Sequence, residues 1–192
     1  MKAVWYVRQG TARQVFHVGE QPTPSPNADE VRVRLHASAV NPADANRRAG
    51  RGHPMELPLI IPNSDGAGVI DSIGPCVRDR RIGERVWLYF GQRGRPFGTA
   101  AGYICLDESL TLPLPEHMSF GEGACLGIPA MTAHNAVLGD GDVKGRTVLV
   151  TGGAGAVGLY AVQIAKWAGA KVIATVSGPS KAERALQAGA TA

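Results

Sequence analysis

The chain is predicted to fold as α/β plus β, an all-β domain followed by a β-α-β-α unit of a parallel sheet. Three observations carry this reading. Short alternating or apolar runs in the first half are separated by Pro and Gly turns; the composition shifts near residue 120 to an Ala/Gly-rich pattern; and a β-branched run at 147–151 ends in a glycine loop that opens a helical spacing.

In the first half the strand candidates are Val4 to Val7, Val31 to His36, Gly68 to Ile73, Arg85 to Phe90 and Ala100 to Leu106. They are bounded by Pro22 to Asn27, Asn41-Pro42, Gly74-Pro75 and the polar stretch Gly91 to Pro96, which reads as an exposed turn or lobe. Several short strands of this kind suggest a closed or nearly closed barrel, since open sheets leave exposed edges. In the second half Thr147 to Thr151 is a strand, Leu159 to Ala168 continues as a helix, Lys171 to Val176 is a second strand, and Pro179 opens a second helix over Ser180 to Ala188. The domain boundary is placed at 120, giving domains 1–120 and 121–192.

Composition narrows the function. With 192 residues, 44% of them hydrophobic, the chain can build a real core and is not disordered. The longest apolar region is broken by glycines and by Lys166 and Lys171, so no membrane span is expected. The first residues alternate like a strand rather than forming a secretory signal, and the 3 cysteines lie far apart with no C-x-x-C pair, so a cytoplasmic protein without a disulfide framework is expected. The net charge of +4 gathers only in knots at Arg47, Arg48, Arg51 and at Arg78, Arg80, Arg81, with no interleaved aromatics. These read as solvated loop charge, and no nucleic-acid partner is expected. His36, His117 and His134 are isolated, and His53 sits in a Gly/Pro/Arg-rich loop; none has metal-ligand spacing.

The glycine loop carries the chemistry. Gly153, Gly155 and Gly158 satisfy G-x-G-x-x-G after a strand and at the head of a helix, with Ala156 and Val157 between the last two glycines. One glycine permits the tight turn, one lets backbone approach a pyrophosphate, and one lets helix pack on strand. Where a ribose-binding acid is expected, about 20 residues on, the chain reads Val176-Ser177-Gly178-Pro179-Ser180-Lys181 without Asp or Glu. Hydroxyls and an ammonium suit a 2′-phosphate, so the cofactor expected is NADP(H); Lys181 reads equally as an ordinary first-turn lysine.

Val40-Asn41-Pro42-Ala43-Asp44, Pro62 to Ile70, Gly127 to Ala133 and Val150 to Gly158 together resemble the medium-chain dehydrogenase/reductase superfamily, within it the zinc-independent quinone oxidoreductase (zeta-crystallin-like) group. The resemblance implies a GroES-like β-barrel domain followed by a partial Rossmann domain, and NADPH-dependent reduction of a quinone or α,β-unsaturated carbonyl. It places Asn41 beside nicotinamide and substrate, Asn46 at the substrate, Thr132 near the nicotinamide, Gly155 to Gly158 at the pyrophosphate, and Ser177 with Lys181 at the adenosine phosphate.

Asn41 reads equally as a turn residue before Pro42, and Thr132 as a packed residue. Asp44 and Asp65 match acidic positions of the family and read equally as structural carboxylates, so no catalytic acid is assigned. Relatives carry tyrosines where this chain has Asn46 and Gly52 or His53. The zinc-ligand positions of metal-dependent relatives correspond to Asn41, Ser64 and Ile128, and no metal is expected. Without zinc as Lewis acid, an already electrophilic quinone or enone is the acceptor to expect.

The resemblance also implies a homodimer. A non-catalytic binding or regulatory module and an enoyl-thioester reductase are the alternatives. Because a full domain of this type has six strands in two halves, the chain to Ala192 is expected to be a truncated form, or one whose exposed edge a partner covers, with cofactor binding weakened or lost.

Overall fold

A computed structural model describes residues 1–52 and 54–192. His53, and with it any comparison to the family tyrosine, lies outside the described residues. The chain forms two compact units, Met1–Ile128 and Pro129–Ala192.

The first unit runs β1 (Lys2–Trp5), α1 (Ala12–Val15), β2 (His17–Glu20), β3 (Glu30–Ala39), α2 (Pro42–Arg48), β4 (Asp65–Ile73), β5 (Arg85–Leu88), β6 (Tyr103–Asp107), β7 (Thr111–Pro113) and α3 (Phe120–Ala124), after which α4 (Gly127–Leu138) leads into the second unit. Five strands make an antiparallel sheet in the order β6-β3-β4-β5-β7. The period of two decides what is inside: Val31 and Val33 are fully buried while Arg34 between strand neighbours is exposed. With Ile70, Val86, Leu88, Ile104 and Leu106 they form the main apolar core. On the other face Arg32 grips Asp71 across the β3/β4 ladder through two hydrogen bonds, 2.8 and 3.1 Å, which ties the register of the two strands.

Three expectations are corrected here. The sheet does not close into a barrel: β1 and β2 form a separate antiparallel pair, tied to the rest by the single bridges Ala3↔Ala101 and Tyr6↔Ile60. Closure needs strands distant in the chain to meet in register, and β6 and β7 remain the edges of the five-stranded sheet. Between β5 and β6, Phe90 takes a left-handed φ of 55° and Gly94 one of 68°, and Pro96 has no N–H to donate. For that reason β5 stops at Leu88 rather than continuing through Phe90. The first strand lies at Lys2–Trp5, earlier than Val4 to Val7.

The second unit contains β8 (Thr147–Thr151), α5 (Ala156–Trp167), β9 (Lys171–Thr175) and α6 (Pro179–Gln187). The two strands are parallel, Thr147 opposite Lys171 through Thr151 opposite Thr175. Ala161, Val162 and Ala165 of α5 bury against Val150 and Val172, and Ala185 of α6 joins the same cluster. Beyond α6 the chain returns to β9: Thr191 N–H donates to the Val172 carbonyl and Ala174 N–H to that of Ala192, both at 2.7 Å. Among the described residues, no helix is long and apolar enough to cross a membrane.

Candidate functional site

In the first unit a polar cluster is built where β3, α2 and β4 meet. Pro42 cannot donate to a helix turn and so suits the first helical position, leaving Asn41 to cap α2. Asp44 reaches back and accepts from the Asn41 main-chain N–H at 2.8 Å. The Asn41 side-chain amide donates to Asp65 Oδ2 at 2.8 Å, and the Ile128 main-chain N–H donates to the same oxygen at 2.8 Å. Asp65 is 0% exposed, and its other oxygen, Oδ1, has no hydrogen-bond partner among the described residues. That oxygen sits where a side chain at 127 would begin, since a Cβ on Gly127 would lie 2.2 Å from it. Only glycine admits this approach.

Burial raises the Asp65 pKa above the ordinary carboxylate value, against the lowering effect of the Ile128 and Asn41 hydrogen bonds. Asp44 is raised as well, by burial, with Asn41 again acting the other way. Around them Thr99 Oγ donates to the Asp65 carbonyl at 2.7 Å and pairs with Ser38 Oγ at 2.8 Å, while Asn63 donates to Ser38 at 3.0 Å. Asn63 holds φ at 72°, a left-handed conformation that asparagine tolerates better than most residues.

Asn46 lies apart from this cluster, on the wall of a cavity of about 580 Å³ that also takes in Met55, Leu57 and Ile60. The His36 ring stacks on Phe120 with centroids 4.4 Å apart.

In the second unit Gly155, Ser177 and Lys181 line one cavity of about 360 Å³, together with Gly152, Ala154, Thr175 and Val176. Lys181 donates to Ser177 Oγ at 2.8 Å, so the hydroxyl and the ammonium are already side by side. Gly155 caps α5, and Ala156, Val157 and Gly158 form its first turn, whose N–H groups have no partner within the helix. Gly153 and Gly158 are buried and serve packing instead. A Cβ on Gly153 would meet Ala174 Cβ at 2.6 Å, and one on Gly158 would meet the Gly152 carbonyl oxygen at 2.2 Å. Thr132 is an exposed residue of α4 and does not line this cavity.

Gly152 and Thr175 were not singled out from the sequence. The tight turn belongs to Gly152, at φ 67°, one residue before the first glycine of the motif. The doubled glycine at 152 and 153 was the available signal. For Thr175, the last residue of β9, a place at the carboxyl end of a parallel strand was the signal.

An unclosed β domain with a capped Asn-Pro helix, followed by a strand, glycine turn and helix that leave a basic corner beside the turn, defines a class of dinucleotide-linked proteins. Residues 27–116 match the family described as the alcohol dehydrogenase GroES-like domain, and residues 156–192 match that described as zinc-binding dehydrogenase. The quinone oxidoreductase of Mus musculus is 36% identical over 168 residues, covering 87% of this chain and 50% of that protein. The chloroplastic NADPH-dependent alkenal/one oxidoreductase of Arabidopsis thaliana is 32% identical over 161 residues, covering 80% and 42%. The structure of Escherichia coli quinone oxidoreductase complexed with NADPH superposes with a TM-score of 0.84 at 27% identity, covering 99% of this chain and 57% of that one. The chain belongs to the medium-chain dehydrogenase/reductase superfamily and is quinone oxidoreductase-like; it spans about half the length of the curated relatives it matches.

The second family description names zinc, and the residues present do not fit that ion. At the three positions the resemblance assigns to ligands, the Asn41 amide and the Ile128 N–H are donors already given to Asp65, and Ser64 offers a main-chain carbonyl that accepts from Gly91 N–H at 2.8 Å. A zinc site needs thiolate, imidazole or carboxylate lone pairs converging; this cluster offers the carboxylates Asp65 and Asp44, and among the described residues no three such groups come together. No step is derived through a metal.

Proposed function

We propose that this chain carries the substrate-side domain, 1–120, and part of the cofactor domain, 121–192, of a zinc-independent, NADPH-dependent reductase of quinones and α,β-unsaturated carbonyls. The observation that carries the proposal is the pairing of Ser177 and Lys181 on the same cavity as the Gly152 to Gly158 turn. The two groups offer donors and a positive charge to a 2′-phosphate, while the strand end at Thr175 has no carboxylate to bind a free ribose hydroxyl. The residues fit the cofactor: Gly155 brings bare backbone to the cavity, and the first turn of α5 presents N–H groups of Ala156 and Val157 to an anion.

When bound, NADPH supplies a hydride, and a proton from solvent completes the two-electron reduction of a quinone to a hydroquinone or of an enone to the saturated carbonyl. The chain's own contribution is placement and electrostatics. Asp65 holds the Asn41 amide in one orientation, and the resemblance assigns Asn41 to the nicotinamide and Asn46 to the acceptor. Gly153 and Gly158 set the loop by packing. No side chain is assigned as general acid.

The test is a calorimetric titration of the purified chain with NADPH and NADH in parallel, followed by NADPH oxidation with a quinone. NADPH binding at least tenfold tighter than NADH is expected; equal affinities would remove the role given to Ser177 and Lys181.

A further inference from the structure

The arginine knot at the end of α2 and just beyond it, Arg47, Arg48 and Arg51, reads from the sequence as solvated charge, but the fold gives it a surface to act on. Arg47 and Arg51 line the cavity of about 580 Å³, and Arg95, distant in sequence, lines it too. The same cavity receives one carboxylate, Glu56. Among the described residues the ion pairs are Met1 with Glu20, Arg32 with Asp71 and Arg80 with Glu84, so none of these three guanidiniums is in contact with a carboxylate, although Asp44 acts on Arg47 and Glu30 on Arg95 through space.

Their hydrogen bonds go to neutral acceptors instead. Arg47 donates to the side-chain and main-chain oxygens of Gln92, and Arg95 donates to the Cys105 carbonyl. Gln92 is 3% exposed and donates in turn to the Arg95 carbonyl at 2.8 Å, so one buried amide ties the two arginine segments together. A neutral oxygen orients a guanidinium without cancelling its charge, and Arg95 is half-buried, which thins the water that would otherwise screen it. Met55, Leu57 and Ile60 give the cavity an apolar surface as well.

A space that combines apolar side chains with three guanidiniums and a single lining carboxylate selects an amphipathic anion. Resting on the reductase reading above, we propose that the acceptor is a quinone or enone bearing an anionic substituent (carboxylate, sulfonate or phosphate), the anion held by Arg51 with Arg47 and Arg95 and the carbon skeleton by Met55, Leu57 and Ile60. Guanidinium to oxyanion contacts are the strong, geometrically matched kind.

The test separates this site from the reductase reading by measuring binding without turnover. Anthraquinone-2-sulfonate and the uncharged 2-(hydroxymethyl)anthraquinone are titrated into the purified chain by calorimetry; both rings are blocked against thiol addition, which matters because Cys76 and Cys125 are exposed. The sulfonate is expected to bind at least tenfold tighter, an advantage that shrinks with added salt. Arg51 is exposed and makes no ion pair among the described residues, so Arg51→Gln should fold normally; it is expected to weaken the sulfonate roughly fivefold and leave the neutral probe unchanged.

Equal affinity for the two probes, binding of neither, or a sulfonate preference untouched by both Arg51→Gln and Arg95→Gln overturns the proposal. So does competitive displacement of the sulfonate by NADPH, which would assign the arginines to the cofactor. A chain that prefers the sulfonate yet fails to oxidise NADPH in the presence of any quinone offered keeps the anion site and loses the reductase reading.

Discussion

The polar cluster around Asp65 and the glycine loop before α5 are organised by opposite means. At Asp65 the geometry comes from side chains that are present: a fully buried carboxylate takes two donors on one oxygen and leaves the other without a partner among the described residues. At the loop it comes from side chains that are missing, since the Gly152 carbonyl and Ala174 occupy the space a Cβ would need at Gly158 and Gly153. The first arrangement resists loss of a polar partner poorly, because each broken bond strands a buried group. The second resists added volume poorly, because its close contacts involve backbone.

The largest effect should come from adding volume to the loop. Gly158→Val places a branched side chain against the Gly152 carbonyl, 2.2 Å from the Cβ position, and should cost about 3 kcal/mol of stability and remove detectable NADPH binding. Thermal unfolding and cofactor titration check both, and an unshifted melting temperature would show that the loop yields.

Next comes the carboxylate. Asp65→Ala strands the Asn41 amide and the Ile128 N–H and should cost about 2 to 4 kcal/mol, whereas Asp65→Asn keeps an acceptor for both and should cost about 1 kcal/mol near neutral pH. The two variants also differ in their dependence on pH. Burial raises the folded-state pKa of Asp65, so the folded chain holds that proton more tightly than the unfolded one. The favourable contribution is therefore complete below the unfolded value, about 3.9, and is lost as pH rises through the raised folded value. The D65N amide does not titrate, so its deficit against the parent should shrink as pH rises through that window. Melting curves collected from about pH 4 to 7 that stay parallel would count against a raised Asp65.

The smallest effect is expected at the exposed corner. Lys181→Ala removes one ammonium beside Ser177 and should weaken NADPH about tenfold, close to 1.4 kcal/mol, without changing NADH or stability. Equal losses for the two cofactors would mean that Lys181 acts on something other than the 2′-phosphate.

How much of this was legible beforehand differs between the two regions. The loop, its helix and the Ser177 to Lys181 corner follow from local chemistry: β-branched residues before glycines, helical spacing after them, Pro179 at a helix start. Even so, the turn proper fell on Gly152, because positive φ depends on where the chain reverses and not on the motif string. Around Asp65 less was legible. Asn41-Pro42 reads as a turn or helix start, and Asp44 as its partner three residues on, but nothing local joins Asn41 to a carboxylate 24 positions away or brings the Ile128 N–H to it across 63. The barrel expectation failed for a related reason, since closure depends on strands far apart in the chain meeting in register.

Local pattern alone therefore determined the strands of β3, β4 and β6, the glycine turn, the basic corner after β9 and the order of the two parts, because alternation, helix caps and missing Cβ atoms act over a few residues. Tertiary structure decided which groups share a buried oxygen, that the sheet stays open, and that Arg47, Arg51 and Arg95 line one cavity. Those are meetings of segments distant in sequence, set by the whole pattern of burial, and no short window of residues encodes them.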